Sequence, residues 1–260
     1  MPYLDLQAGR VHYRFDGPAT APVIVLSNSL GATLSMWDPQ GVALSRRFRV
    51  LRYDTRGHGD SAVPAGPYTI EALGSDVLEL LDTLKIERIH FCGLSMGGLI
   101  GLWLGIHAAG RLDRLVVCNT AARVGTADAW NSRMAAVRSG GMKAVAPALM
   151  ERWFTAAFRA SAPAVVESTQ KMVLQAPVEG YLACCAAVRD ADLRERVAEV
   201  KARTLVITGA NDPVTPPADA RFLAEKIPGA RYVELEAAHL SNIEAAAKFT
   251  DALLQFLSSS

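Results

Sequence analysis

The sequence predicts an α/β protein: a mostly parallel eight-stranded sheet with helices on both faces and a helical cap inserted into it. Three observations lead there. Short apolar runs alternate with helical patterns from residue 23 to residue 118, residues 122–196 carry almost no strand-like run, and the alternation resumes at residue 204. An alternation that breaks off and resumes reads as one sheet with an insertion, which places the core at 1–121 and 197–260 and the cap at 122–196. With 260 residues, half of them apolar, the chain can bury one large core.

The elements follow in order. Tyr3-Leu4-Asp5-Leu6 and Val11-His12-Tyr13-Arg14-Phe15 alternate in polarity across Ala8-Gly9, the pattern of a hairpin. Val23-Ile24-Val25-Leu26 is continuously apolar, as a strand buried on both faces requires, and residues 48–53 form a similar strand. Residues 37–44 predict a helix between these two. Ile70, Leu73, Val77, Leu80, Leu81 and Leu84 make one stripe of a helix over 69–84. Further buried strands are expected at 89–94 and 115–118. In the cap the spacing predicts helices over 130–138, 142–158, 163–175 and 178–188. Beyond it come a strand at 204–208, a helix at 218–226, a strand at 231–235 and a closing helix to residue 257.

A net charge of +1 gives no electrostatic case for nucleic acid or an anionic membrane surface. No run approaches a membrane span, and Met-Pro-Tyr-Leu-Asp-Leu lacks the pattern of a signal peptide, so a cytoplasmic location is expected. Cys92, Cys118, Cys184 and Cys185 lie in apolar surroundings without metal-ligand spacing and read as reduced, buried thiols. No metal is expected.

The chemistry centres on Gly93-Leu94-Ser95-Met96-Gly97, a G-x-S-x-G pentapeptide. It stands between the apolar strand 89–94 and a helical pattern of Leu99, Ile100, Leu102, Trp103 and Ile106. Such a serine sits on a sharp strand-to-helix turn that lifts its Oγ clear of the sheet. A hydroxyl is a weak nucleophile until a base takes its proton. Of the five histidines, His12 is expected to face solvent on an edge hairpin. His90 and His107 read as structural, and His58 as packing within a glycine-rich turn. His239 follows the last strand, at the carboxyl end of the sheet where ligands of open α/β sheets gather. Asp212 is the only carboxylate in the turn Gly209-Ala210-Asn211-Asp212-Pro213-Val214-Thr215-Pro216. Alone it would suit an Asx-turn or a helix cap. In the order Ser95, Asp212, His239 it reads as the acid of a nucleophile–acid–base triad. The oxyanion donors are expected to be the Met96 N–H and the Leu30 N–H of Ser27-Asn28-Ser29-Leu30-Gly31.

Together with Asp54-Thr55-Arg56-Gly57-His58-Gly59-Asp60-Ser61, these residues resemble the α/β-hydrolase superfamily over the whole chain. Finer features narrow the resemblance: the loop 27–31 in place of His-Gly, Leu34-Ser35-Met36-Trp37-Asp38-Pro39-Gln40, Glu151-Arg152-Trp153-Phe154, residues 180–190, and Asn211-Asp212-Pro213-Val214-Thr215-Pro216-Pro217. That set closely resembles the 3-oxoadipate enol-lactonases. The resemblance implies a cofactor-free serine hydrolase of aromatic-acid catabolism that opens a small enol-lactone with an acetate arm to 3-oxoadipate. A buried carboxylate wants an arginine or several neutral donors. Arg133, Arg138, Arg152 and Arg189 are the cap candidates, and Arg133 is preferred because it lies early in the cap. Trp130 and Trp153 are expected to wall the pocket, with Trp153 and Ser29 assigned beside Arg133 to substrate binding. Two alternatives stay open: a carboxylesterase or perhydrolase with the same triad, and a ligand-binding protein that keeps the serine without turnover. The contributions of Asn28 and Ser29 are also open.

Overall fold

A computed structural model of the chain describes residues 2–259. It opens with β1 (Tyr3–Leu6), β2 (Gly9–Asp16) and β3 (Val23–Ser27), followed by α1 (Asp38–Leu44) and β4 (Arg49–Tyr53). Next come α2 (Ile70–Thr83), β5 (Ile89–Leu94), α3 (Met96–His107) and β6 (Leu112–Cys118). Five helices intervene before the sheet resumes: α4 (Ala127–Gly140), α5 (Ala146–Trp153), α6 (Ala156–Ser161), α7 (Pro163–Leu174) and α8 (Val178–Asp190). The chain ends with β7 (Arg203–Gly209), α9 (Pro217–Lys226), β8 (Arg231–Leu235), α10 (Ser241–Glu244) and α11 (Ala246–Ser258).

The eight strands form one sheet in the order β1-β2-β4-β3-β5-β6-β7-β8. The β1–β2 and β2–β4 pairs are antiparallel and all others parallel. Successive side chains of a strand point to opposite faces. Ile24, Val25 and Leu26 in β3 and Leu115, Val116 and Val117 in β6 are all fully buried, so helices cover the sheet on both sides. On one side α3 lies on β5 and β6, and α2 on α3. Gly74 permits that second contact, since a Cβ there would stand 2.2 Å from the Trp103 ring. The strand order reverses at β3: the chain leaves β3 for β4 on one side and returns to β5 on the other. The loops after β3 and β5 therefore diverge, opening a crevice at their carboxyl ends. Among the described residues no helix is long and apolar enough to cross a membrane.

Two expectations are corrected. The helix expected over 142–158 is broken into a 3-10 turn at Met142–Ala144, then α5 and α6. Apolar residues keep a helical period through the break, but Phe154 is extended (φ −133°, ψ 142°) and Thr155 caps α6 by accepting the Phe158 N–H at 3.2 Å. The Thr155 hydroxyl and N–H both donate to the Glu244 carboxylate, a partner 89 residues away. His12, expected in solvent, is buried. The turn after β4 folds over β2, with the Ala62 N–H donating to Arg10 O at 2.7 Å and the His12 N–H to Ser61 Oγ at 2.9 Å.

Candidate active site

Ser95 joins β5 to α3 with φ +59° and ψ −113°, a conformation that side chains with a Cβ rarely adopt. Strand and helix nearly collide there. A Cβ on Gly93 would stand 2.0 Å from Gly97 O, and one on Gly97 would stand 2.3 Å from Ser27 O. Two bonds fix the turn: the Ser95 N–H donates to Cys118 O at 2.9 Å, and Thr120 Oγ1 donates to Ser95 O at 2.8 Å. Ser95 Oγ has no hydrogen-bond partner among the described residues. Both neighbouring thiols, Cys92 and Cys118, are free and buried, as are Cys184 and Cys185.

The structure places Asp212 directly behind His239, with His239 Nδ1 2.8 Å from Asp212 Oδ2. A carboxylate only accepts, so Nδ1 carries the proton and Nε2 is left as the basic nitrogen. The same Oδ2 accepts from Thr215 Oγ1 at 2.8 Å and Asn119 Nδ2 at 2.9 Å, while Oδ1 accepts the N–H groups of Val214 at 2.8 Å and Thr215 at 3.1 Å. Burial by itself would raise the Asp212 carboxyl. The facing imidazole and these donors outweigh it and hold the pKa below its ordinary value. Sequence reasoning missed Asn119. It sits just past β6 with φ +44°, holds Asp212, and accepts the Ser241 hydroxyl at 2.5 Å. Its signal was a polar residue directly after a buried run, at the same sheet edge as the triad candidates.

The loop after β3 is held on every side. Asn28 donates through Nδ2 to Tyr53 O at 2.8 Å, accepts the Trp37 indole N–H at 3.0 Å, and offers its carbonyl to the Gly97 N–H at 3.0 Å. The Ser29 N–H points to Met36 Sδ at 3.3 Å, and the Gly31 N–H to His58 Nε2 at 2.8 Å. Between them the Leu30 N–H has no acceptor among the described residues. The Met96 N–H, first in α3, also has none, as the opening N–H groups of a helix lack intrahelical partners.

Ser29, Leu30, Ser95, Arg133, Trp153 and His239 line one small cavity of about 20 Å³, with Trp130 among its walls. Val124, Trp130, Arg133, Leu149 and Val214 also line an adjoining chamber of about 500 Å³, which adds Arg152. The Arg133 guanidinium lies 4.5 Å from the centre of the Trp130 ring. Neither Arg133 nor Arg152 has a carboxylate partner among the described residues. Arg138 and Arg189 border a different cleft beside residues 63–67, and Arg189 is paired with Asp190 at 2.7 Å. Of the sequence candidates, Asp212 and Met96 do not line the cavity: Asp212 stands behind the histidine, and the Met96 side chain is buried.

Comparison with known proteins agrees with this architecture. A family model described as the alpha/beta hydrolase fold matches residues 22–246. The 3-oxoadipate enol-lactonase 2 of Acinetobacter baylyi is 44% identical over 250 residues, 96% of this chain and 94% of that protein. The crystal structure of the enol-lactonase from Burkholderia xenovorans aligns with a TM-score of 0.98 and 51% identity, over 99% of this chain and 100% of the other. A hydrolase from Pseudomonas aeruginosa aligns at 0.96 and 48% identity, over 99% and 98%. With the strand order, the serine turn and these likenesses in agreement, the chain belongs to the alpha/beta hydrolase fold family.

Proposed function

We propose that this protein is a serine hydrolase that opens the 3-oxoadipate enol-lactone ring, with Ser95 as nucleophile, His239 as base and Asp212 as its orienting acid. One observation carries the reading. The cavity that joins Ser95 to the histidine–aspartate pair is walled by tryptophans and bordered by Arg133, a cation without an acidic partner. It shares Trp130, Arg133 and Leu149 with the chamber of about 500 Å³, which has room for a small ester bearing a carboxylate. The names of the relatives at 44% and 51% identity support the same substrate.

In this mechanism His239 Nε2 takes the Ser95 proton as Oγ attacks the lactone carbonyl. Asp212, held by Asn119 and Thr215, stabilises the imidazolium that forms. The carbonyl oxygen becomes an oxyanion, and the Leu30 and Met96 N–H groups receive it. Collapse breaks the ring C–O bond and expels an enolate, which takes the proton from the His239 imidazolium to become the ketone and leaves His239 neutral. An enolate leaves far more easily than a saturated alkoxide, so acylation depends less on acid assistance than amide cleavage does. Water deprotonated by His239 then attacks the acyl-enzyme, the bond from the acyl carbon to Ser95 Oγ breaks as His239 returns the proton to Oγ, and the dicarboxylate departs. Ser29, Trp153 and Arg133 hold the substrate, Arg133 through its acetate arm, beneath the lid formed by residues 122–196.

The test is the disappearance of the enol-lactone with wild type and Ser95→Ala, beside a neutral lactone. If the triad acts as a unit, Ser95→Ala lowers kcat by up to about a millionfold. A loss below about tenfold removes Ser95 from the mechanism, and a neutral aryl ester turned over better than the enol-lactone points to a general carboxylesterase.

A further inference from the structure

The glycine-rich turn after β4 reaches into the site from outside the triad. His58 is buried, and its Nε2 lies 2.8 Å from the Gly31 backbone nitrogen. A backbone N–H can only donate, so Nε2 is the unprotonated nitrogen and the ring carries its proton on Nδ1. Nδ1 in turn faces Arg56 O at 3.4 Å and Cys184 Sγ at 3.9 Å. Burial pushes the His58 pKa down to about 4, which keeps the ring neutral and Nε2 an acceptor around neutral pH. The same turn grips the loop a second time: Asp54 Oδ1 accepts the Leu34 N–H at 2.7 Å. Gly31 itself has φ +84°, and a Cβ there would crowd the Tyr181 ring at 3.2 Å.

We propose that His58 is a positioning residue for the oxyanion hole. By accepting the Gly31 N–H it fixes the loop's peptide planes, engages the donor next to Leu30, and leaves the Leu30 N–H facing the cavity beside Ser95. The proposal rests on the hydrolase reading above. A loop with a left-handed glycine has more than one way to orient its peptide groups, and the histidine selects one. A donor that must meet an oxyanion within hydrogen-bond distance tolerates little displacement. The histidine touches no substrate and exchanges no proton in the reaction.

The experiment compares His58→Leu, which removes the acceptor, with His58→Gln, which replaces it by a carbonyl oxygen. The substrates are the enol-lactone and p-nitrophenyl acetate, and the transition-state analogue is butylboronic acid. In His58→Leu, kcat for both substrates falls about 30-fold, less than the full loss of an oxyanion donor, and KM stays within about twofold. The boronic acid weakens by a similar factor, because its tetrahedral adduct places an oxygen where the oxyanion forms. His58→Gln stays within about threefold of wild type. A folded His58→Leu with wild-type kcat, or a lower kcat with unchanged boronate affinity, overturns the proposal. If His58→Leu does not fold, His58→Gln decides: kcat within about threefold supports the assignment, and a larger loss in a protein with unaltered melting overturns it. Ser95→Ala in the same assays separates the two levels. Turnover retained there removes the hydrolase reading itself, whereas an inactive Ser95→Ala beside a fully active His58→Leu removes only the role of His58.

Discussion

Replacing Ser95 by glycine should make the protein more stable than replacing it by alanine, although both variants lose activity. Ser95 holds φ +59° and ψ −113° because Gly93 and Gly97 let β5 and α3 meet there, and not because its own side chain prefers that conformation. A residue with a Cβ in such a region costs about 1–3 kcal/mol. Alanine keeps the Cβ and removes only the hydroxyl, which has no partner among the described residues, so Ser95→Ala leaves the strain in place. Glycine relieves it, at an entropic cost in the unfolded chain of about 0.4–1 kcal/mol. The Cβ borders a cavity and not the packed core, so little burial is lost. The net gain of Ser95→Gly over Ser95→Ala is therefore about 1 kcal/mol, or about 2 °C in melting temperature for a chain of this size. Urea denaturation midpoints at neutral pH, with thermal melts beside them, make the comparison. A Ser95→Gly protein that unfolds at the same midpoint as Ser95→Ala, or below it, refutes the claim that the turn stores strain.

Asn119→Ala leaves the buried Ser241 hydroxyl without its acceptor, takes one donor from Asp212, and puts alanine at φ +44°. Stability should fall by about 3 kcal/mol and kcat by about tenfold, read by urea denaturation and enol-lactone turnover; an unchanged midpoint contradicts the role given to Asn119. Arg133→Ala should raise KM for the acidic lactone by about tenfold or more while a neutral aryl ester is affected less than about twofold, and equal effects on both would place the carboxylate elsewhere. His58 adds a pH dependence of stability. Its folded pKa of about 4 lies below the ordinary 6.5, so as pH falls the unfolded chain takes up the proton first. The contribution is complete above about pH 6.5 and declines by about 3 kcal/mol on the way to pH 4. Urea midpoints at pH 7 and 4.5 should converge more in His58→Gln than in wild type; parallel slopes contradict a buried neutral His58.

The triad candidates were legible because each stands at a recognisable place along the chain: Ser95 between small residues at a strand-to-helix junction, Asp212 and His239 in the turns after the last two strands. The strands were legible for a related reason, since Ile24 to Leu26 and Leu115 to Val117 are apolar on every position and only a doubly covered sheet explains that. What stayed hidden depends on pairs far apart in sequence. His58 meets Gly31 across 27 residues and Asn119 meets Asp212 across 93. Nothing in either local stretch encodes the other. The break at Phe154 and Thr155 was concealed by the helical period of Met150, Phe154 and Phe158, which outlasts the helix itself, and is decided by Glu244. Among the cap arginines, composition offered four equivalent cations; position against the cavity separates Arg133 and Arg152 from Arg138 and Arg189, and Arg189 is in addition paired with Asp190.

The distribution of paired and unpaired polar groups argues for the same chemistry from energetics alone. From Asn28 to Gly31 and around Asp212, most donors and acceptors are engaged, several of them twice. Among the groups without a partner are Ser95 Oγ, the Leu30 N–H and the Met96 N–H, and Ser95 is also strained. Leaving a polar group unpaired away from bulk water costs about 1–3 kcal/mol, and strain adds a similar amount. Here the unpaired donors and the unpaired hydroxyl belong to the two loops that diverge from adjacent strands, β3 and β5, and Leu30 and Ser95 line the same cavity. A tetrahedral oxyanion bonded to Ser95 would supply the acceptor that both N–H groups lack. The interactions missing from the free protein are then the ones gained in the transition state, which is the condition for accelerating a reaction and not merely binding its substrate.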